Sequence, residues 1–287
     1  MDLQKLLLLG MMDTKRICAI TKVKEYLSMD RKKYWNEEYT KYWKNVTNDA
    51  NEKGGDKTKI IKSTSGDYKS VGEQVADLLF AEMNYDKKEK LLDYGCGFGR
   101  FFIFFNNKTD YYGIDISEDM ISECKTTYPT AAEKFIVAEG EKSPFEDGFF
   151  SKIICFGVFD ACYQEQALFE MMRMTKIGGR ILITGKNNKY LHDDEQAYIA
   201  EEAARKKGHP NYFTDVKNML EQLSDVATIE LQRYFIHRGD FGKNLYVTDI
   251  PEKFYEYAFI IKKNNNCEHS FERFSDAYST TWKEINN

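Results

Sequence analysis

The chain has 287 residues, 42% of them hydrophobic, and its 41 basic and 46 acidic side chains give a formal net charge of −5. This length favours one large domain with additions, and the apolar content is ample for a packed core. The mixed charge disfavours a general nucleic-acid binder, which needs a basic stripe to neutralise phosphates. The six cysteines form no C-x-x-C pair, which predicts reduced thiols in a cytoplasmic protein rather than a disulfide framework or a zinc site.

The first 67 residues predict a helical cap followed by a polar linker. Aromatic residues spaced mostly three or four apart lie on one face of a helix; they are Tyr34, Trp35, Tyr39, Tyr42 and Trp43. An apolar run at residues 6–9 is too short to span a bilayer and lacks a small-residue cleavage site, so we expect a packed helix rather than a signal peptide. The chain is therefore expected not to insert into a membrane.

From Lys90 onwards, short apolar runs alternate with helix-like segments, a pattern typical of a parallel sheet covered on both faces. The predicted strands are 91–94, 111–116, 135–138, 152–157 and 180–184, and the predicted helices are 100–105, 119–127 and 164–174, the last ended by Gly178-Gly179. Two further strand-like runs, 228–236 and 254–261, predict a hairpin at the sheet edge. These elements divide the chain into a cap and linker at 1–67, a core at 68–264 with a lid insertion near 186–215, and a tail at 265–287.

A glycine-rich turn follows the first predicted strand, in the sequence LLDYGCGFGR at residues 91–100. Its glycines allow a sharp turn and a close approach of the backbone to a ligand. A dinucleotide enzyme usually shows G-x-G-x-x-G, whereas here the spacing is G-x-G-x-G with Asp93 two residues before it. S-adenosylmethionine has no phosphate, but it carries an ammonium group that Asp93 can hold directly or through water. The turn therefore favours S-adenosylmethionine over a nicotinamide cofactor.

Acidic residues also end the second and third predicted strands. Asp115 can accept both hydroxyls of a ribose, and Ser117 already supplies the helix N-cap that Asp115 would otherwise provide. Glu139 can accept from an adenine amino group while the backbone N–H of Gly140 meets a ring nitrogen. The carboxyl ends of parallel strands share one edge of a sheet, so these positions and the glycine turn are expected to face one ligand.

Residues 68–185 resemble class I S-adenosylmethionine-dependent methyltransferases. The matching segments are LLDYGCGFGR, YYGIDIS with Met120 after it, FIVAEGEKSPFEDGFF, KIICFGVFDA and TKIGGRILIT. The resemblance implies a Rossmann-like α/β fold whose seven-stranded, mostly parallel sheet has the order 3-2-1-4-5-7-6, with helices on both faces. The expected cofactor-binding residues are Asp93, Gly95, Cys96, Gly97, Gly99, Asp115, Ile116, Met120, Glu139, Gly140, Phe156 and Gly157, together with Tyr34 and Trp35 of the cap.

One of these expectations keeps an alternative, and one position departs from the pattern of the family. Tyr34 and Trp35 can close over the sulfonium of the cofactor by a cation–π interaction, or they can pack the cap against the sheet. After strand four, where many members of the family carry a histidine, this chain has Asp160, so a histidine base at that position is not expected.

Histidines near the predicted lid are the candidate general bases. We expect His192 or His209 to act if the acceptor must lose a proton, with a surface role as the alternative for each. His192 and the acids at 193–195 are also metal-ligand types, but without a second ligand set they indicate a helix start, so no metal is expected.

The predicted function is transfer of a methyl group to oxygen or nitrogen of a polar small molecule, such as a nucleotide-linked sugar or a substituent of a capsular or surface polysaccharide. An RNA or protein acceptor is the alternative, for which the lysines at 186–189 and 206–207 offer modest support. A non-catalytic fold used as a binding partner and a nicotinamide-dependent reductase are the remaining alternatives. Intact ligand-facing residues in the glycine turn and at Asp115 argue against a non-catalytic fold.

Overall fold

The computed structural model describes residues 33–39, 78–206, 209 and 211–277. The predicted cap and linker lie mostly outside these ranges, as do Cys18 and the apolar run at 6–9. Within the cap, Tyr34–Tyr39 forms one short π-helical segment. No helix in the described part of the chain is long and apolar enough to cross a membrane.

Seven strands form one sheet in the order β3-β2-β1-β4-β5-β8-β7. Their bounds are β1 Lys90–Tyr94, β2 Asp110–Asp115, β3 Phe135–Val137, β4 Phe150–Cys155, β5 Thr175–Lys186, β7 Ala227–Phe235 and β8 Glu256–Lys263. The first five pair in parallel, and β8 runs antiparallel to both β5 and β7. The expected α/β fold is confirmed. The observed strand labels differ from the expected order because a short strand, β6 (Tyr212–Thr214), enters the chain before the hairpin and pairs outside this sheet.

Helices whose bounds both lie within the described residues are α1 Phe102–Phe105, α2 Glu118–Thr127, α3 Gln164–Met174, α4 Glu195–Lys206, α5 Val216–Leu223 and α6 Asp240–Lys243. Short 3₁₀ turns cover Pro129–Lys134, Gly140–Lys142 and Phe159–Ala161. One predicted boundary was wrong. Gly178-Gly179 does not end the helix before it, because α3 ends at Met174 and the strand β5 starts at Thr175 and runs through both glycines. A side chain at 179 would meet the carbonyl oxygen of Ser151 at 2.8 Å, so a glycine lets β5 lie against its neighbour.

Alternate residues of the central strands pack into two cores on opposite faces of the sheet. Leu92 and Ile153 join the core that also contains apolar side chains of α3 and α5. Leu91 and Ile154 join the core formed with α1 and α2. This period of two is what a strand buried on both faces requires. Both faces are covered, which leaves the carboxyl edge of the parallel strands as the place for a ligand.

A second, two-stranded sheet pairs β6 with β9 (Ser275–Ala277) in antiparallel register. The segment predicted as a tail thus contributes a strand. It is also tied to α3, because the backbone N–H groups of Phe274 and Ser275 donate to Glu165 Oε1 at 2.8 and 2.7 Å. These contacts place β6, which follows the lid helix α4, close to the core.

Candidate active site

The glycine turn after β1 is held by the neighbouring strand. The N–H groups of Gly95 and Cys96 both donate to the carbonyl oxygen of Ile114, at 2.9 and 2.8 Å. A Cβ at Gly95 would lie 2.5 Å from a methyl group of Val158, so the glycine is required by packing. At Gly97, where φ is +53°, the nearest atom to such a Cβ is the sulfur of Met120 at 3.8 Å. Gly97 is therefore the position where a ligand can approach the backbone.

Asp115 ends β2 directly beside this turn. Its Oδ2 accepts from the N–H of Gly97 and its Oδ1 from the N–H of Ser117, both at 2.9 Å. Ser117 is the N-cap of α2, because its hydroxyl accepts from the N–H of Met120. Burial raises the pKa of Asp115, and the backbone N–H groups oppose that rise. A carboxylate has about four lone-pair sites, so acceptor capacity remains for ribose hydroxyls.

Asp93 lies beneath the glycine turn and is buried. The hydroxyl of Tyr111 donates to its Oδ2 at 2.7 Å. Burial raises the pKa of Asp93 to about 7, against the lowering effects of Tyr111 and of the positive charge of Arg100. The carboxyl group is therefore close to half-protonated at neutral pH, and a nearby ammonium would shift it towards the charged form. Sequence reasoning missed Tyr111 and Arg100, although Tyr111 shares the period-two face of β2 with Asp115.

The ends of β3 and β4 supply the remaining predicted cofactor residues. Glu139 is exposed and precedes the turn at Gly140, where a Cβ would overlap the ring of Tyr94. Gly157 is exposed, and its N–H donates to Thr184 Oγ1 at 2.8 Å. The side chain of Phe156 is instead buried against Phe80, Phe101 and Phe241, so only its backbone lies at this edge. That backbone carbonyl accepts from Arg100 Nη2 at 3.4 Å.

These groups match the chemistry of S-adenosylmethionine. The open position at Gly97 admits a close ligand, Asp115 offers acceptors for hydroxyls, and the near-neutral pKa of Asp93 suits a carboxyl group that ionises when a cation binds. Cys96, Ile116 and Met120 lie in the same turn and at the start of α2. The residues present therefore fit the cofactor that the sequence predicts.

The cap and the end of the lid meet around His209. The hydroxyl of Tyr34 is hydrogen-bonded to His209 Nδ1 at 2.9 Å, and the rings of Tyr34, Trp35 and Tyr39 lie 5.1–5.9 Å from the histidine ring. Asn36, between them in the chain, accepts from the N–H of Glu118 at the start of α2, at 3.0 Å. The π-helical segment therefore contacts both the lid and the helix that begins beside Asp115.

The other histidines lie in different surroundings. His192 is exposed on the turn before α4. His237 is half-exposed and follows β7, where its Nδ1 lies 3.6 Å from Asp240 Oδ2. Asp194, two residues after His192, accepts from the N–H of Ala197 at 3.1 Å, as expected for a helix start, and from that of Arg238 at 2.6 Å. Among the described residues, no three His, Cys, Asp or Glu side chains are placed to hold a metal ion.

A cluster of charged and polar side chains lies beyond the ends of β4 and β5, and it was not predicted from the sequence. We call it the lysine cluster, and its members are Asp160, Lys186, Glu201, Asn211 and Tyr255. Lys186 Nζ lies 3.1 Å from Asp160 Oδ2 and 2.9 Å from Glu201 Oε1. Glu201, on the lid helix α4, also accepts from Tyr255 Oη and, at 2.8 Å, from Asn211 Nδ2. Burial alone would lower the pKa of Lys186, but the surrounding negative groups, Glu201 foremost, raise it well above its ordinary value.

Comparison with known families agrees with the glycine turn and the strand ends. Residues 92–183 match the family model described as "Methyltransferase domain". An uncharacterized protein of Methanocaldococcus jannaschii, MJ0638, is 29% identical over 118 residues, which is 41% of this chain and 50% of that protein. A demethylmenaquinone methyltransferase of Beutenbergia cavernae is 31% identical over 97 residues, 33% of this chain and 40% of the relative. The chain thus spans half or less of the length of these curated relatives.

Solved structures share the fold at lower identity. A S-adenosylmethionine-dependent methyltransferase from Mesorhizobium loti has a TM-score of 0.54 at 15% identity, over 68% of this chain and 99% of that one. The YcgJ protein from Bacillus subtilis has a TM-score of 0.51 at 14% identity, over 68% of this chain and 100% of that one. These likenesses support the seven-stranded sheet and its helices.

Proposed function

Because residues 92–183 form a methyltransferase domain of the class I, S-adenosylmethionine-dependent family, we propose that the protein is an enzyme that transfers a methyl group from S-adenosylmethionine to a small-molecule acceptor. One observation carries the proposal: the open backbone position at Gly97 lies beside Asp115, whose two carboxylate oxygens anchor the glycine turn and α2. A ligand with ribose hydroxyls that approaches Gly97 meets acceptors at the same point.

We assign distinct roles to the residues around this point. Asp115 binds the ribose, Glu139 and Gly140 bind the adenine, and Asp93 holds the ammonium group. When bound, S-adenosylmethionine supplies an electrophilic methyl group on a sulfonium. The aromatic cap around Tyr34 and Trp35 excludes water and limits the directions from which an acceptor can approach, which is the main contribution a protein makes to such a displacement.

For the acceptor, we propose oxygen or nitrogen of a polar small molecule, such as a nucleotide-linked or surface-polysaccharide sugar. The charged and hydrogen-bonding side chains beyond β4 and β5 support a polar acceptor. The names of two relatives favour a second candidate, methylation of carbon. One is the demethylmenaquinone methyltransferase, and the other is a ubiquinone/menaquinone biosynthesis C-methyltransferase of Stutzerimonas stutzeri. The second relative is 39% identical over 51 residues, which is 17% of this chain and 20% of that protein. Transfer of the methyl group to RNA or protein stays the alternative class of acceptor. The cytoplasmic location of the protein stays a prediction.

Cofactor binding is tested first, by calorimetry with S-adenosylmethionine, S-adenosylhomocysteine, NADH and NADPH. We expect both sulfur ligands to bind and to raise the thermal midpoint in proportion to the logarithm of their concentration, with no response to the nicotinamides. Stabilisation by a nicotinamide alone would reject the assignment.

The acceptor is then sought with methyl-¹³C-labelled cofactor and a panel of sugars, nucleotide sugars, amines and phenols, read by mass spectrometry for one added methyl group. The ¹³C chemical shift of the product separates a methyl group on oxygen or nitrogen from one on carbon. If the label appeared in RNA or in protein rather than in a small molecule, the proposed acceptor class would be contradicted.

A further inference from the structure

The lysine cluster lies at the same edge of the sheet as the predicted cofactor residues. Asp160 follows β4 and Lys186 is the last residue of β5, so both stand at the carboxyl edge of the parallel strands. Ligands of open α/β sheets bind outside this edge, at the point where the strand order reverses, which here lies between β1 and β4. The hydrogen bond from Gly157 to Thr184 joins the two strand ends just before the cluster. The cluster therefore borders the cofactor site on its β5 side.

Stability alone is a poor reason to keep these charges together. The free energy of removing two charges from water is about as large as the free energy gained from their attraction. Apolar side chains of similar volume therefore often stabilise a fold as well or better. The cluster is also unbalanced, because two carboxylates surround one ammonium. Glu256 pairs with Lys186 in the β5–β8 ladder, and burial raises the pKa of this carboxyl group to about 7, against the lowering effects of Lys186 and Arg238. Glu256 therefore adds a further fraction of negative charge at neutral pH, which the positive charge of Arg238 offsets in part.

The side chains of the cluster differ in how far they are exposed. Glu201 is 2% exposed, whereas the side chains of Lys186 and Asp160 are 19% and 15% exposed. A ligand would therefore reach Asp160 and Lys186 more readily than Glu201.

Asn211 gives the second, independent observation. Its side chain is 5% exposed and its Nδ2 donates to Glu201, which directs its Oδ1 to the other side of the amide. Within the described residues, this buried Oδ1 has no hydrogen-bond partner. A buried oxygen left without a donor is costly, and a ligand that carries an O–H or N–H group would satisfy it.

We propose that Asp160, Lys186 and Asn211 form the polar part of the acceptor-binding site, and that the acceptor presents a neutral hydroxyl or a cationic amine there rather than an anionic group. The inference rests on the proposed methyltransferase function and narrows its substrate class. Asp160 and Asn211 Oδ1 accept hydrogen bonds from the acceptor, Lys186 donates to an oxygen beside the reacting group, and Glu201 and Tyr255 hold Lys186 in position from the lid.

The test is saturation-transfer NMR of the protein saturated with S-adenosylhomocysteine, which reports acceptor binding without turnover. The probes are two matched pairs: glucosamine with glucuronate, and tyramine with 4-hydroxyphenylacetate. Members of a pair share a ring and differ in charge. We expect the amine of each pair to bind, and the carboxylate to bind at least about tenfold more weakly because it faces the excess negative charge. Asp160→Asn, which keeps the shape of the side chain, should remove most of that preference.

Glu202→Gln is the matched control, since Glu202 neighbours Glu201 on α4, is not a member of the lysine cluster, and pairs with Arg205. It should keep the preference of the wild type. Unchanged thermal midpoint and affinity for S-adenosylhomocysteine would show that Asp160→Asn is folded. Equal or tighter binding of the carboxylates, binding by no probe, or a preference that survives Asp160→Asn would overturn the inference. If S-adenosylhomocysteine itself fails to bind the wild type, the proposed function fails instead.

Discussion

Asp93 offers a quantitative test of how the cofactor is held. With a pKa of about 7 in the free protein, this carboxyl group carries about half a proton at pH 7. An ammonium group within reach favours the charged form and lowers such a pKa by roughly 1–3 units. Binding of S-adenosylhomocysteine, which has the same ammonium group, should therefore release close to half a proton at pH 7. By the same linkage, affinity should be about tenfold weaker at pH 6 than at pH 8.

Replacing Asp93 by Asn removes the titrating group and keeps an acceptor for the hydroxyl of Tyr111. The variant should release no proton, lose the pH dependence between pH 6 and 8, and bind more weakly at pH 8. Its stability should change in the opposite direction. A carboxyl group whose folded pKa is raised stabilises the fold fully below its unfolded pKa, near 4, and that contribution is lost as pH rises through 7. Asp93→Asn should therefore be more stable than the wild type at pH 8, by at most roughly 4 kcal/mol.

Titration calorimetry in phosphate and in Tris at one pH gives the number of protons released, from the dependence of the observed enthalpy on the ionisation enthalpy of the buffer. Glu256→Gln is the matched control, because the pKa of Glu256 is also raised to about 7 but this residue begins β8 on the lysine-cluster side. It should leave the proton release unchanged. No proton release by the wild type, or equal release by Asp93→Asn, would refute the assignment of Asp93 to the ammonium group.

Three further predictions test the site. Asp115→Ala should weaken S-adenosylhomocysteine binding by roughly 2–3 kcal/mol, and it should lower the free energy of unfolding because two backbone N–H groups lose their acceptor; unchanged affinity in calorimetry would place the ribose elsewhere. Gly97→Ala should cost about 1–2 kcal/mol of stability from its positive φ, yet weaken the ligand at least about tenfold, since the new methyl group fills the open position. His209→Ala should lower turnover about 10²-fold with the cofactor affinity kept, whereas His192→Ala, at an exposed position, should not; equal losses for Tyr34→Phe and His209→Ala would indicate that the histidine only holds the cap.

The sheet was predictable because its signal is local. Each central strand is a short apolar run whose alternate residues enter opposite cores, and each run is followed by a glycine or an acid at the carboxyl edge. The boundary at Gly178-Gly179 was not predictable in the same way. Two glycines after a helical pattern are typical of a helix end, but pairing with β4 extends the strand back to Thr175. Tertiary pairing overrode the local preference.

The predicted cofactor residues rest on the same local logic, since Asp93 and Asp115 lie in the last two residues of β1 and β2 and Gly97 follows β1 within three residues. Tyr111 could also have been predicted as part of the site, because it lies four residues before Asp115 in β2 and therefore on the same face of the strand. The lysine cluster and the contact of Tyr34 with His209 have no such signal. Lys186 and Glu201 belong to different elements, and Tyr34 and His209 are 175 residues apart, so their meeting depends on how the lid and cap fold back over the sheet.

The difference between the locally predictable cofactor residues and the lysine cluster bears on which part of the chain determines acceptor specificity. The match to the methyltransferase domain ends at residue 183, and it contains the glycine turn, Asp115, Glu139 and Gly157. Of the lysine cluster it contains only Asp160; the other members, and the contact between the cap and His209, lie outside it. A match over this stretch therefore covers the residues proposed to hold the cofactor, but of the proposed acceptor site it covers only Asp160. An acceptor class inferred from Asp160, Lys186 and Asn211 consequently has more physical support than one carried over from the names of those relatives.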